Sequence, residues 1–361
     1  MRNPRNTRRR SVKAGFGAAL LTLLIALFAV GCGGGDDSTS SGSDTGGTDP
    51  GSSSGGSGGT LDVVGYSTPE YVYTEFMEPA FEETSEGADV SFSNSFGASG
   101  DQSRAVVAGQ PASIVHFAQA GDMERLVEEG GLVSKDWNKN KYKGIGQNSV
   151  VVISVRKDNP EGIKTLQDLQ TKDVEVVTPN PFSSGAARWN IMAIYGTALN
   201  EGKSPDEALA EVKTVLEKTV AQPGSARDAL AAFTQGQGDV LLGYENEAIK
   251  AIEEGEEIEY IVPPSTIQIE TPIAITTAAP EPAAQNFLDF IWSDEGQNIW
   301  SENGYRPVNP ALVDEKQFPT PADLFTIDQF GGWSKVNEEF FDDETGSVAK
   351  IESELGVSTS G

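Results

Sequence analysis

The chain has 361 residues, 26 Lys and Arg against 54 Asp and Glu, a formal charge of −28, one His and one Cys. That balance repels nucleic-acid phosphates, whose partners rely on Lys and Arg to displace counterions, and so few His and Cys build neither a zinc site nor a disulfide framework. The composition, 37% hydrophobic and 22% charged, is that of a globular body, and the length favours two domains.

In chain order, residues 1–31 read as an export signal. Arg2, Arg5, Arg8, Arg9, Arg10 and Lys13 precede an uncharged apolar run from Ala14 to Val30. That run is marginal for crossing a hydrocarbon layer of about 30 Å at about 1.5 Å per residue. It ends in Ala29-Val30-Gly31-Cys32, which resembles the lipobox of bacterial lipoproteins, where the cysteine is diacylated and becomes the mature N-terminus. The resemblance implies lipidation at Cys32, and two acyl chains suffice to hold a protein on a membrane. Thr7 to Lys13 is also similar to a twin-arginine signal but lacks the aromatic after the arginine pair, which leaves the Sec and twin-arginine routes both open. Cleavage before Cys32 removes six positive charges and no acidic ones. Residues 32–60 are almost entirely Gly, Ser, Thr and Asp, a tether with a span of roughly 30 Å and no apolar surface to repay ordering.

From Leu61 onward, short apolar runs alternate with helical patterns. Strands are predicted at Leu61 to Tyr66, Asp89 to Phe92, Ser113 to Phe117, Val150 to Val155, Val174 to Val177 and Asp239 to Leu242. Helices are predicted over Glu70 to Glu83, from about Gly100, and over Gly121 to Glu129. This alternation points to α/β architecture with parallel sheets covered on both faces, in two lobes rather than one core.

Four predicted helices open on turns of small residues: Tyr66-Ser67-Thr68-Pro69, Gly97-Ala98-Ser99-Gly100, Ser183-Ser184-Gly185-Ala186 and Pro223-Gly224-Ser225-Ala226. A helix N-terminus offers unpaired N–H groups and the positive end of the macrodipole, and small residues let an anion approach them. Any one such turn is most simply an N-cap. A set of four at the carboxyl ends of strands is where ligands bind in doubly wound sheets.

The segment from Thr178 to Asn190, Thr-Pro-Asn-Pro-Phe-Ser-Ser-Gly-Ala-Ala-Arg-Trp-Asn, resembles the signature of periplasmic sulfate-binding proteins, the receptors of sulfate/thiosulfate ABC importers. Similar matches are the Gly97 to Gln102 loop, Gly238-Asp239-Val240 through Tyr244-Glu245-Asn246-Glu247-Ala248, Tyr305-Arg306-Pro307-Val308, Leu324 to Ile327 and Gly331-Gly332-Trp333. The resemblance spans Leu61 to Ile351. It implies a type II periplasmic binding protein, two α/β lobes joined by crossover strands with the ligand cleft between them. Residues 61–152 and 264–361 would form lobe 1 and residues 153–263 lobe 2. It further implies a monomeric, extracytoplasmic, lipid-anchored receptor without catalysis, metal or cofactor, whose partners are sulfate or a related oxyanion and the permease and ATPase subunits of an importer.

Carried over by motif, the sulfate donors would be the N–H near Thr68, the hydroxyl and amide of Ser99, the hydroxyl and amide of Ser184, and the amides of Gly185, Ala186 and Ser225. Tyr244 takes the aromatic donor position. Two departures stand out: Ala186 where the family often has Gly, and Tyr244 where well-known relatives have Trp. A site of donors alone suits fully deprotonated sulfate, whereas the O–H of phosphate would be an unmet donor costing roughly 1–3 kcal/mol. Asp101, the carboxylate nearest these loops in sequence, is expected to cap its helix or face solvent, and His116 to be a packed or partly exposed histidine. Arg104, Arg188 and Arg227 stand near the binding loops, either neutralising an anion from behind or pairing with surface carboxylates.

Two other readings compete. One is a receptor for thiosulfate, molybdate or phosphate. The other is an exported hydrolase with Ser184 or Ser99 as nucleophile, which has only His116 as base and no Gly-x-Ser-x-Gly elbow in the body.

Overall fold

The computed structural model describes residues 59–359. The export signal, Cys32 and the tether as far as residue 58 lie outside the described residues. Strand β1 (Gly59–Tyr66) starts two residues before the expected Leu61, because it pairs in parallel along its whole length with β2 (Val90–Gly97), Gly59 opposite Val90 and Tyr66 opposite Gly97. On its other side β1 pairs in parallel with β3 (Ile114–His116). Leu61, Val63, Val64 and Ile114 are buried in the packing against the covering helices.

The helix expected over Glu70 to Glu83 divides into Glu70–Val72, a π turn at Tyr73–Met77 and Glu78–Glu82. Pro79 explains the break: it has no N–H for the helical ladder and its ring crowds the carbonyl four residues back.

A second half is built on β5 (Val176–Val177), parallel to both β6 (Thr219–Ala221) and β7 (Val240–Tyr244). Two long strands join the halves. The first part of β4 (Ile145–Arg156) pairs antiparallel with β9 (Ser265–Ile275), and its later part with β7 and β8 (Ile258–Ile261). The end of β9 pairs antiparallel with β3. The path β2-β1-β3-β9-β4-β7-β5-β6 is continuous, with β8 beside β4 and β10 (Asp323–Phe325) beside β9. The expected parallel pairing therefore holds within each half and fails at the crossover, where two strands carry the chain out and back in opposite directions. The outcome places the carboxyl ends of β1, β2 and β3 opposite those of β5, β6 and β7.

His116 closes β3. It is fully buried, with Nδ1 2.8 Å from Tyr73 Oη and Nε2 3.2 Å from Thr271 Oγ1, and Tyr66, Tyr73 and Trp300 stand edge-on to its ring. It is a packed histidine. Burial pulls its pKa from 6.5 down to about 3. Between those values the unfolded chain binds a proton that the fold refuses, so this residue's contribution to stability is lost as pH falls through that window. His116→Gln, which cannot titrate there, should be less stable than the parent near pH 7.5, with the gap closing toward about pH 4 in urea unfolding. A gap that stays constant would mean that His116 does not fold as a buried neutral ring.

Candidate functional site

The four helix-opening turns meet, and they are bonded to one another. The Gly100 amide donates to Ser183 O at 3.1 Å. The Ser183 hydroxyl donates to Gly224 O at 2.8 Å, and the Asn180 amide to Pro223 O at 2.8 Å. Arg227, just after the Ser225 turn, donates from Nη2 to Thr68 O at 2.8 Å. Across the junction, the Trp189 indole donates to Ala118 O at 2.6 Å. Gly185 lies so close to that segment that a Cβ there would stand 2.8 Å from the Ala118 Cβ.

Thr68, Ser99, Ser184, Ala186, Ser225 and Tyr244 are all buried at this junction. The amides of Thr68, Ser99, Gly185, Ala186 and Ser225 have no protein acceptor among the described residues. For Gly185 and Ala186 the reason is geometric, since the first N–H groups of the Gly185–Asn200 helix have no residue four back inside the helix. Two expected donors differ. The Ser184 amide donates to Asn180 O at 2.9 Å, and the Ser99 hydroxyl donates to Asp122 Oδ2 at 2.7 Å while accepting from the Ala118 amide at 2.9 Å. These two groups are engaged within the protein, which leaves the Ser184 hydroxyl and the Ser99 amide.

The serines also separate by role. Ser225 caps its helix, accepting from the Asp228 amide at 3.1 Å and donating to Asp228 Oδ2 at 2.7 Å. Ser184 occupies the N-cap position without making that bond.

Tyr244 ends β7, and its hydroxyl is fully buried with no hydrogen-bond partner among the described residues. Its ring lies 6.3 Å from that of Tyr66. Burial above all, then Tyr66, Glu247 and Asp122, holds its ionisation far above the ordinary tyrosine value, so the group is a proton donor at any physiological pH. Nearby, the Tyr305 hydroxyl reaches Thr68 Oγ1 at 3.4 Å, and Gln147 donates to Tyr66 Oη at 2.6 Å.

Two carboxylates that the motifs did not single out border this cluster. Asp122 is buried between the Ser99 hydroxyl and Arg125 Nη1, the latter at 3.1 Å from Oδ1. Glu247 is buried 3.3 Å from Arg227, and burial raises its pKa although Arg227 opposes the shift. Asp101 instead faces solvent and pairs with Arg104. His116 bonds Tyr73 and Thr271 and neither Ser99 nor Ser184, so the histidine base that the hydrolase reading requires stands at neither serine.

Comparison with known proteins agrees with this geometry. The family model described as bacterial extracellular solute-binding protein matches residues 61–306. The chain is 34% identical to the sulfate-binding protein of Synechococcus elongatus, over 90% of this chain and 92% of that one. It is 33% identical to the thiosulfate-binding protein of Pseudomonas aeruginosa, over 78% and 88% respectively. Among solved structures, the sulfate-binding protein SubI from Mycobacterium tuberculosis superposes with a TM-score of 0.75 at 39% identity, covering 78% of this chain and 99% of that one. The fold is thus that of a type II binding protein, two α/β lobes joined by crossover strands. The chain belongs to the bacterial extracellular solute-binding proteins, in the branch whose relatives are sulfate- and thiosulfate-binding proteins.

The Arg227 contacts make a direct test of the junction. Arg227→Met removes the donor to Thr68 O and leaves Glu247 buried without its cation. The cost should be about 2 kcal/mol, below that of a fully buried pair because Arg227 is partly exposed. Glu247, its pKa raised further, then gains a proton as pH falls, so the deficit in chemical unfolding should be larger near pH 8 than near about pH 5. A deficit independent of pH would place Glu247 outside the Arg227 contact.

Proposed function

We propose that this chain is a lipid-anchored receptor on the outer face of the cell membrane that binds sulfate and delivers it to the permease and ATPase subunits of an ABC importer. The observation that carries the reading is the set of five amides, from Thr68, Ser99, Gly185, Ala186 and Ser225, that have no protein acceptor among the described residues and gather at the junction with the Tyr244 hydroxyl, likewise without a partner there. Backbone N–H groups at helix N-termini hold a tetrahedral dianion without a cation in contact. The Ser184 hydroxyl, free of capping, adds a further donor. In this reading the lobes are residues 61–152 with 264–361 and residues 153–263, they close as a hinge on the anion, the chain acts as a monomer, and Cys32 carries the lipid.

A second ligand, thiosulfate, is favoured by the similarity to the thiosulfate-binding protein of Pseudomonas aeruginosa. It offers the same donor-seeking tetrahedron with one oxygen replaced by sulfur.

Calorimetric titration of the secreted body with sulfate, thiosulfate, molybdate and phosphate separates these ligands. Sulfate should bind tightly and phosphate weakly; tight phosphate uptake with no sulfate heat would end the sulfate reading. Ser184→Ala should weaken sulfate by about 1.5–3 kcal/mol, the scale of a hydrogen bond to a charged partner. Tyr244→Phe should cost a similar amount, and unchanged affinity would confine Tyr244 to packing.

A further inference from the structure

Beside the junction lies a cavity of about 640 Å³ lined by the half-buried Arg104, Arg125 and Arg188, by Phe182, Asn337 and Phe341, and by the exposed carboxylates of Glu338, Asp342, Asp343 and Glu344. Three arginines in the wall of one cavity are notable in a chain this acidic. They come from separate elements: Arg104 from the helix after the Ser99 turn, Arg125 from the Ala120–Glu128 helix and Arg188 from the Gly185–Asn200 helix.

Their neighbours tie this wall to the buried donors. A Cβ on Gly100 would stand 3.3 Å from Arg104 Nη1 and 3.0 Å from Ser183 O, so that guanidinium lies against the contact between two of the turns. Arg125 touches the same Asp122 that receives the Ser99 hydroxyl. Arg188 is three residues along the helix from Gly185.

The three charges are incompletely matched. Arg104 pairs with Asp101 and Arg125 with Asp122. Arg188 uses Nε on Pro181 O at 2.7 Å and Nη1 on Asn337 Oδ1 at 2.8 Å, stacks 4.9 Å over the Phe341 ring, and has no carboxylate in ion-pair range among the described residues. Burial lowers its pKa to about 10, Asp122 opposing, with Arg125 and Arg104 lowering it further. The four lining carboxylates are exposed, and none pairs with the three guanidiniums among the described residues. An anion that passes the exposed carboxylates therefore meets three half-buried guanidiniums, of which Arg188 has no carboxylate in ion-pair range among the described residues.

We propose that this arginine wall is an encounter site where a tetrahedral oxyanion is first held, in the hydrated cavity, before it reaches the buried amides. The inference rests on the receptor reading and adds to it how a dianion approaches a chain of its own sign. A local positive wall raises the capture rate without tightening the final complex, because steering acts on the encounter and fades with salt.

Stopped-flow tryptophan fluorescence with sulfate tests it. At low ionic strength Arg104→Gln should slow association by about threefold, and Asp101→Asn, which frees Arg104 of its partner, should speed it by a similar factor. Arg104→Lys should restore most of the rate. Dissociation should not change, and the differences should vanish near 1 M salt, where the screening length is about 3 Å. Association rates equal to the parent in both neutralising variants would overturn the proposal; opposite shifts cannot come from general damage to the fold.

A second measurement does not depend on the buried site. In amide and guanidinium NMR, the Nε–H signals of Arg104 and Arg125 should move during a millimolar sulfate titration, on a curve separate from any tight phase. If those signals stay still, the encounter site is wrong. If they move while no tight phase exists, the encounter site stands and the receptor reading fails.

Discussion

Ser183 ties together three segments that are far apart in the chain. Its carbonyl accepts the Gly100 amide and its hydroxyl donates to Gly224, so one residue makes polar contacts with a turn from each half of the molecule. The neighbouring donors depend on this arrangement. Ser183 spends its own groups on holding the turns in place, and the Ser184 amide closes its own turn on Asn180. The amides of Gly185 and Ala186 are then left pointing out of the helix with no protein acceptor. Close approach is the second condition. Gly185 leaves no room for a Cβ against Ala118, which brings the helix end and the end of β3 together.

The two crossover strands make that convergence possible. β9 pairs with β3 of the first half and β4 with β7 and β8 of the second, and the antiparallel contact between β4 and β9 leaves the carboxyl ends of the flanking parallel strands facing one another. At the seam, directional hydrogen bonds stand beside apolar packing that joins Tyr66 and Ala118 to Trp189 and Tyr244. Trp189 donates across it to Ala118 and packs edge-on against Trp333 with ring centres 4.6 Å apart. Arg227 reaches across to Thr68.

Much of this was legible in the sequence, and what was not has physical causes. The strands β1, β3, β5 and β7 are apolar runs ending in turn residues, and they were readable as such. β9 was not read: Ile267, Ile269, Ile273 and Ile275 alternate as a strand requires, but Glu270 and Pro272 interrupt the run, and as a crossover strand it has different neighbours along its length. The turns were visible as clusters of small residues, but which of their groups remain unspent was not. That depends on contacts such as Ser99 with Asp122 and Ser184 with Asn180, set by how the halves pack. Asp122 and Arg125 escaped notice for the same reason: an acid and a base three residues apart on a helix look like a surface pair until the Ser99 turn is laid over them.

The placement of the arginines bears on how so acidic a chain could hold a dianion. Arg227 is the second residue of its helix and Arg188 the fourth, positions where the helix dipole opposes a cation by about 0.3–1 kcal/mol each. Buried charge needs compensation, and at this junction Asp122 and Glu247 supply some of it, through Arg125 and Arg227. Arg188 has no such carboxylate within ion-pair range among the described residues. A dianion among the amides would reverse the balance, because it turns the repulsion between the dipole and the nearby guanidiniums into a shared attraction for one centre. Negative charge elsewhere on the body acts only over the screening length of about 8 Å at physiological salt. The local set of charges therefore decides retention, while the distant ones keep the protein soluble and slow the approach of anions. Neutral donors thus sit innermost, with the guanidiniums of Arg125 and Arg227 and their buried partners Asp122 and Glu247 one layer behind them.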